Sequence, residues 1–162
     1  MLSLSYDEFL RYSAEERDKW RQFFGTNPSA MELPLPSPRF STIGKLIDHI
    51  FLVERRHLQR LRGEALSDRT GLTGNNAPPL FDYGASVRRE LEQYVGDLDE
   101  DVASQVRTFE VREQQWPMSA RKLLFHILVH ETRHWAQIAL AVRAAGFEPP
   151  GDHDLFYSRA LR

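Results

Sequence analysis

The stretch Ser119-Ala-Arg-Lys-Leu-Leu-Phe-His126-Ile-Leu-Val-His130-Glu131-Thr-Arg-His134-Trp-Ala-Gln137-Ile138 decides the fold. Leu124, Ile127, Leu128, Trp135, Ile138 and Val142 recur at three- and four-residue spacing, the period of a helix that buries one face. Ser119 supplies an N-cap hydroxyl, and Gly146 stands where a left-handed residue ends such a helix. One long helix is therefore predicted from Ala120 to about Ala145.

Outward from it, three more helices follow from the same reasoning. Tyr6 to about Phe24 carries Phe9, Leu10, Ala14, Arg17, Trp20 and Phe24 near helical spacing, and Gly25 follows as a stop. Thr26–Phe40 contains Pro28, Pro34, Pro36 and Pro38 and is predicted to be extended. With Ser41 as N-cap, a second helix runs to about Leu61. Its stripe is Ile43, Leu46, Ile47, Ile50, Val53, His57, Leu58 and Leu61, with Gly63 as its end. Gly63–Leu80 is a long polar link, of the kind that crosses the length of a bundle or carries function. The third helix is predicted over Asp82 to Gly96, with Val87, Leu91, Tyr94 and Val95 inward. Asp97–Met118 reads as one short helical turn near Asp99–Gln105 followed by irregular chain. The tail Phe147–Arg162 holds Pro149 and Pro150 and is predicted to pack across the bundle. Four helices and no strand give an all-α four-helix bundle, and its long connections argue against simple up-down-up-down order.

At 162 residues the chain has the length of one domain. Hydrophobic residues at 41% and charged residues at 27% are ordinary for a folded globular protein. The formal charge of −2 gives no global attraction to nucleic acid or to an anionic membrane. No apolar run approaches the roughly 20 residues that span a bilayer. Met1–Arg11 carries Asp7 and Glu8 and lacks the pattern of a signal peptide, so a cytoplasmic location is expected. The absence of cysteine removes disulfides, thiolate metal sites and cysteine nucleophiles. Any metal ligands must be His, Asp or Glu.

His126, His130 and His134 are spaced four apart, so neighbours lie one turn, about 6 Å, above one another. His126 and His134 are about 12 Å apart and cannot easily share one ion. At about 100° per residue the apolar stripe centres near 140° from His126, with His134 at about 80° and His130 at about 40°. The pair His130/His134 is thus closer to the core and the better ligand pair. His126 then reads as a neighbour able to orient a ligand. A further ligand must come from elsewhere. His49 stands beside Leu46 and Val53 on the second helix. It comes level with His130/His134 if the two helices are antiparallel, and nearer His126 if they are parallel. His57 and His153 lack a partner at ligand spacing and read as surface or core residues. Three imidazoles would leave one coordination position open, the pattern of a reactive site. Glu131 lies at the centre of the apolar stripe, where a carboxylate needs a partner. It could orient a ligand, act as a catalytic base, or bond a buried Trp or Tyr. Gln137 could bond a ligand or be a rim residue.

Ser41-Thr-Ile-Gly-Lys-Leu-Ile-Asp-His49 with Glu54-Arg55-Arg56, the stretch Leu123 to Ile138, and Gly146-Phe-Glu-Pro-Pro150 together resemble the DinB-like family of metal-binding four-helix bundles. The similarity extends over most of the chain, with its specific motifs in the second and last helices. The resemblance implies an up-down-down-up bundle, which makes those two helices antiparallel, and metal ligands His49, His130 and His134. Ala136 stands where the family more usually has glycine, and Trp135 where a basic residue is common. Some relatives transfer thiols from low-molecular-weight thiol cofactors, and the metal in such proteins activates a thiolate or water.

The resulting expectation is one divalent ion, zinc or nickel first, with iron, copper or manganese also compatible with the ligands. It would serve an enzyme acting on a small molecule, such as a low-molecular-weight thiol, by transfer or hydrolysis. A metal-binding stress-response protein without catalysis is the alternative. His130-Glu131-Thr-Arg-His134 also spells the H-E-x-x-H signature of zincin metalloproteases, with Glu131 as base. Against this, no sheet for a peptide substrate and no later histidine at protease spacing follow. Faces bearing Trp20, Phe23 or Phe51 could support a homodimer, a state that the family often forms.

Overall fold

The computed structural model describes residues 5–68, 71, 72, 74–151, 153 and 155–160. Met1–Leu4, which belong to the signal-peptide reading, lie outside them, as do residues 69, 70 and 73 of the long link and 152, 154, 161 and 162 of the tail.

Ser5 opens helix α1 (Tyr6–Thr26) through a reciprocal cap: its hydroxyl accepts from the Glu8 amide at 3.2 Å, and Glu8 accepts from the Ser5 amide at 2.8 Å. The proline-rich connection contains a short 3-10 turn, Pro28–Glu32, where only extended chain was expected. Helix α2 (Ile43–Arg62) is capped by Thr42, one residue after the expected Ser41, and closes on Gly63 at φ 71°. Gly44 opens α2 against the carbonyl of Gly74. A Cβ at Gly44 would sit 1.4 Å from that oxygen, so the long link can lie on α2 only if this residue is glycine. Helix α3 (Ala77–Gly96) begins five residues before the expected Asp82. Pro78 and Pro79 lie in its first turn, where a missing N–H costs nothing. Helix α4 (Glu100–Ser104) is the short turn expected near Asp99.

The chain from Val106 to Ser119 is not irregular. Strands β1 (Val106–Val111) and β2 (Gln114–Ser119) form an antiparallel hairpin, with Val106 paired to Ser119 and Val111 to Gln114. The expectation of no strand is therefore corrected: the molecule is mostly helical with one small sheet. The two turn residues, Arg112 and Glu113, have φ of 53° and 61°. A two-residue turn of this left-handed kind matches strand twist but favours Asn or Gly, and other residues cost roughly 1–2 kcal/mol each. Helix α5 (Ala120–Ala144), capped by Ser119, follows without a break.

Helix α2 packs on α3 and α5, and α1 packs on the same two. Two apolar clusters fill the interior. Trp20, Phe24, Ile47, Phe51, Phe81, Trp135 and Ile138 belong to one, and Leu10, Leu58, Leu61, Leu91, Leu124 and Leu128 to the other. Trp20 and Phe51 are fully buried and Phe23 nearly so. They form the core and offer no dimer surface, which corrects that part of the expectation. The described tail residues return to α1: Tyr12 donates to the His153 carbonyl at 3.0 Å, and the Ser158 hydroxyl meets Glu15 at 2.8 Å. Among the described residues no helix is long and apolar enough to cross a membrane.

Candidate metal centre

Between the two apolar clusters each long helix contributes one charged residue: Arg17 from α1, Glu54 from α2, Arg88 from α3 and Glu131 from α5. Arg17 bridges Glu54 and Glu131, and Arg88 does the same at 2.7 Å to each. Glu131 also accepts from the Ser13 hydroxyl and the Trp135 indole N–H, each at 2.9 Å. Two cations and two anions balance. Burial pushes the Glu131 carboxyl up, but Arg17 and Arg88 outweigh it and hold it below the usual carboxylate range. Of the roles open to Glu131, the geometry gives it the bond to a buried Trp, with two arginines in addition. Both of its oxygens are occupied by donors.

One residue away, the last helix presents a different surface. His130 Nε2 lies 3.1 Å from His134 Nε2 and 3.2 Å from His49 Nε2. Ligand atoms of the three rings all lie within 4.8 Å of one another, so they could hold one ion. Imidazole nitrogens about 2.0–2.1 Å from a shared tetrahedral ion would stand roughly 3.3 Å apart, close to the two distances observed. His134 is oriented by Gln137, whose side-chain oxygen lies 2.7 Å from His134 Nδ1. With the proton on Nδ1, that bond leaves the Nε2 lone pair facing the other two rings. Phe40 covers the cluster, with its ring centroid 4.6 Å from His49 and 6.1 Å from His134.

Burial lowers His130 to about 3, aided by the neighbouring histidines. Burial, then the charges of Arg39 and its neighbours, lowers His49 to about 3, and burial lowers His134 as well. All three imidazoles are therefore neutral near pH 7, the form that donates to a cation. His126 is exposed and stands with its ring centroid 5.7 Å from His130, outside the ligand group. It meets buried His57 edge-on at 5.3 Å. His153 stacks on Trp20 at 5.1 Å and bonds Glu16 at 2.6 Å, and is not part of the ligand group.

The cluster opens into a cavity of about 580 Å³ between α2, α5 and the hairpin. Arg39, Arg56, Arg60, Arg112 and Arg133 line it, with Trp116 from β2. Sequence reasoning passed over these arginines. Arg56 and Arg60 had a signal, since they follow His49 by seven and eleven residues on one helical face. Arg112 had none, because it depends on an unforeseen hairpin.

The DinB family model matches residues 1–160, nearly the whole chain. No curated protein matches it.

Proposed function

The chain belongs to the DinB family, and from that premise we propose that it is a divalent-metal protein with ligands His49, His130 and His134, acting as an enzyme on a small molecule. The observation that carries this reading is the convergence of three Nε2 atoms at the floor of an open cavity. Neutral imidazoles favour zinc or nickel, and also suit iron or copper, with manganese a poorer match. A bound cation would supply Lewis-acid polarisation at an unfilled coordination position. The chain's own residues do the rest. Gln137 fixes the His134 tautomer, Phe40 keeps water from one side of the cluster, and the cavity walls orient the substrate. Thiol transfer or hydrolysis is the proposed reaction class, and the cytoplasm the proposed location.

The family's up-down-down-up order belongs to the same proposal. Paired contacts support it. Along α5, His126 meets His57 of α2 while His130 and His134 meet the earlier His49, so these helices oppose each other. Tyr6, Ser13 and Trp20 of α1 meet Phe125, Glu131 and Trp135 in the same order. A zincin mechanism is not part of the reading, because Glu131 is engaged by Arg17, Arg88, Ser13 and Trp135.

The test loads the chain with zinc or nickel and assays it with a low-molecular-weight thiol plus an electrophile, and separately with ester and amide substrates. Turnover that disappears with a chelator and in His49→Ala is the expected result. Metal binding with no turnover in any of these assays would favour the non-catalytic reading instead.

A further inference from the structure

The cavity over the histidines has an unusual charge. Five arginines line it and no carboxylate does, in a chain where acidic residues outnumber basic ones by 23 to 21. None of the five forms an ion pair with a described residue. Elsewhere six arginines are matched, among them Arg17 and Arg88 by two glutamates, Arg21 by Asp82, and Arg55 and Arg62 by Glu90. Arg11, Arg89, Arg107, Arg143 and Arg159 also form no ion pair with a described residue but do not line this cavity. Isolated exposed arginines are ordinary surface residues, but five unmatched ones around one concavity repel each other unless an anion joins them.

Two of them are held in place. Arg56 donates to the carbonyls of Ser67 and Asp68 at 2.7 and 2.6 Å, and Arg60 to the carbonyl of Glu110 at 2.8 Å. These bonds go to neutral oxygens and fix the guanidinium planes; the Glu110 carboxylate also acts on Arg60, but without forming an ion pair with it. Arg112 sits on the hairpin turn at φ 53°, a conformation kept despite its strain, and lines the same cavity. Arg133 stands one residue before His134 on α5 and makes no hydrogen bond with a described residue. Guanidinium forks match the planar, two-oxygen edge of carboxylates and phosphates better than ammonium groups do. Arg56 and Arg60 lie about 10 and 16 Å along α2 from His49, so a molecule reaching both ends is small but elongated.

We propose that the cavity selects a small molecule bearing a carboxylate or phosphate group, held by Arg56, Arg60, Arg112 and Arg133, with its other end at the three histidines. This names the substrate class of the site proposed above and rests on that reading. It also explains why the charged side chains come from both helices and the hairpin: together they enclose the acid group, while Trp116 offers an apolar wall.

Calorimetric titration of the full chain, metal-free and then zinc-loaded, tests it at low salt with succinate, inorganic diphosphate and neutral succinamide. One of the two anions should bind saturably and succinamide should not. Preference for succinate assigns a carboxylate, and preference for diphosphate a phosphate. Arg112→Gln with Arg133→Gln removes two charges that make no hydrogen bond with a described residue, so the fold should persist. It should weaken the anion by about tenfold or more while zinc affinity is kept. Arg56→Gln should act in the same direction. Equal anion affinity in these variants overturns the proposal, as does anion binding that needs zinc and ignores the arginines. A single-stranded oligonucleotide binding more tightly than either small anion overturns it in favour of a nucleic-acid backbone. Zinc binding with no anion binding sinks this inference alone. Arginine-dependent anion binding with no zinc binding sinks the metal reading and leaves the anion site standing.

Discussion

His130 and Glu131 are consecutive on α5, yet they belong to polar centres of opposite character. Glu131 enters a buried layer in which every charge has a partner and all four long helices are tied together. His130 enters a half-buried cluster whose nitrogens face one another and a cavity of unmatched positive charge. A step of about 100° around one helix separates a closed ion-pair layer from an open histidine cluster. The lesson is that burial and polarity alone do not mark function. What marks it is unfilled valence: donors or acceptors held in place with nothing in the fold to satisfy them.

The sharpest way to break this contrast is Glu131→Ala. It leaves Arg17 and Arg88 sharing Glu54 as their one remaining anion, so one buried positive charge is uncompensated, and removing one partner of a buried pair costs about 3–5 kcal/mol. Thermal melting should show the loss, and a change within error would mean the layer is not structural. Replacing the whole layer by Arg17→Met, Glu54→Leu, Arg88→Met and Glu131→Leu, with Ser13→Ala and Trp135→Phe so that no buried donor is stranded, should be nearly neutral or stabilising by about 1–4 kcal/mol. That variant should still bind metal, which separates the two centres outright.

On the histidine side, His130→Ala should leave the melting temperature of the metal-free chain almost unchanged. Its zinc affinity, read by competition with a chromophoric chelator, should fall by more than the roughly 10–100-fold typical of losing an outer partner. Gln137→Ala should cost about tenfold by the same measurement, since it frees the His134 ring without removing a ligand. A Gln137 variant as damaging as His130→Ala would make Gln137 a ligand itself.

Acid should separate the centres as well. His49, His57 and His130 are neutral in the fold and lowered from 6.5 to about 3. The unfolded chain therefore binds protons first, and their contribution is fully present above pH 6.5 and lost as pH falls toward about 3. Glu131 is lowered from 4.5, so its contribution is lost only below that pH. The metal-free chain should lose several degrees of melting temperature between pH 6.5 and 4.5. His130→Ala should lose less over that window, while an identical acid profile would contradict the assignment.

Much of this was legible in the sequence because it is periodic. The helices follow from stripes and caps, and His130/His134 from four-residue spacing and the helical wheel. His49 needed the resemblance to select the helix direction that levels it with them. The hairpin escaped because Arg112-Glu113 is a poor turn signal: the strain of two left-handed residues hides it from propensity. The early start of α3 escaped because Pro78-Pro79 reads as a breaker unless it falls in a first turn. The charged layer had a visible signature, one charged residue within each apolar stripe at Arg17, Glu54, Arg88 and Glu131. Only Glu131 was recognised as needing a partner, since pairing across four helices is a tertiary fact.

If His49 of α2 and His130 and His134 of α5 share one cation, removing one ring must release it. Elemental analysis of the untagged chain, beside His49→Ala prepared identically, tests it most directly. One divalent ion per chain in the first and essentially none in the second is the predicted result. Retention of the ion by folded His49→Ala, or its absence from a wild-type chain given excess zinc and nickel, would contradict the account.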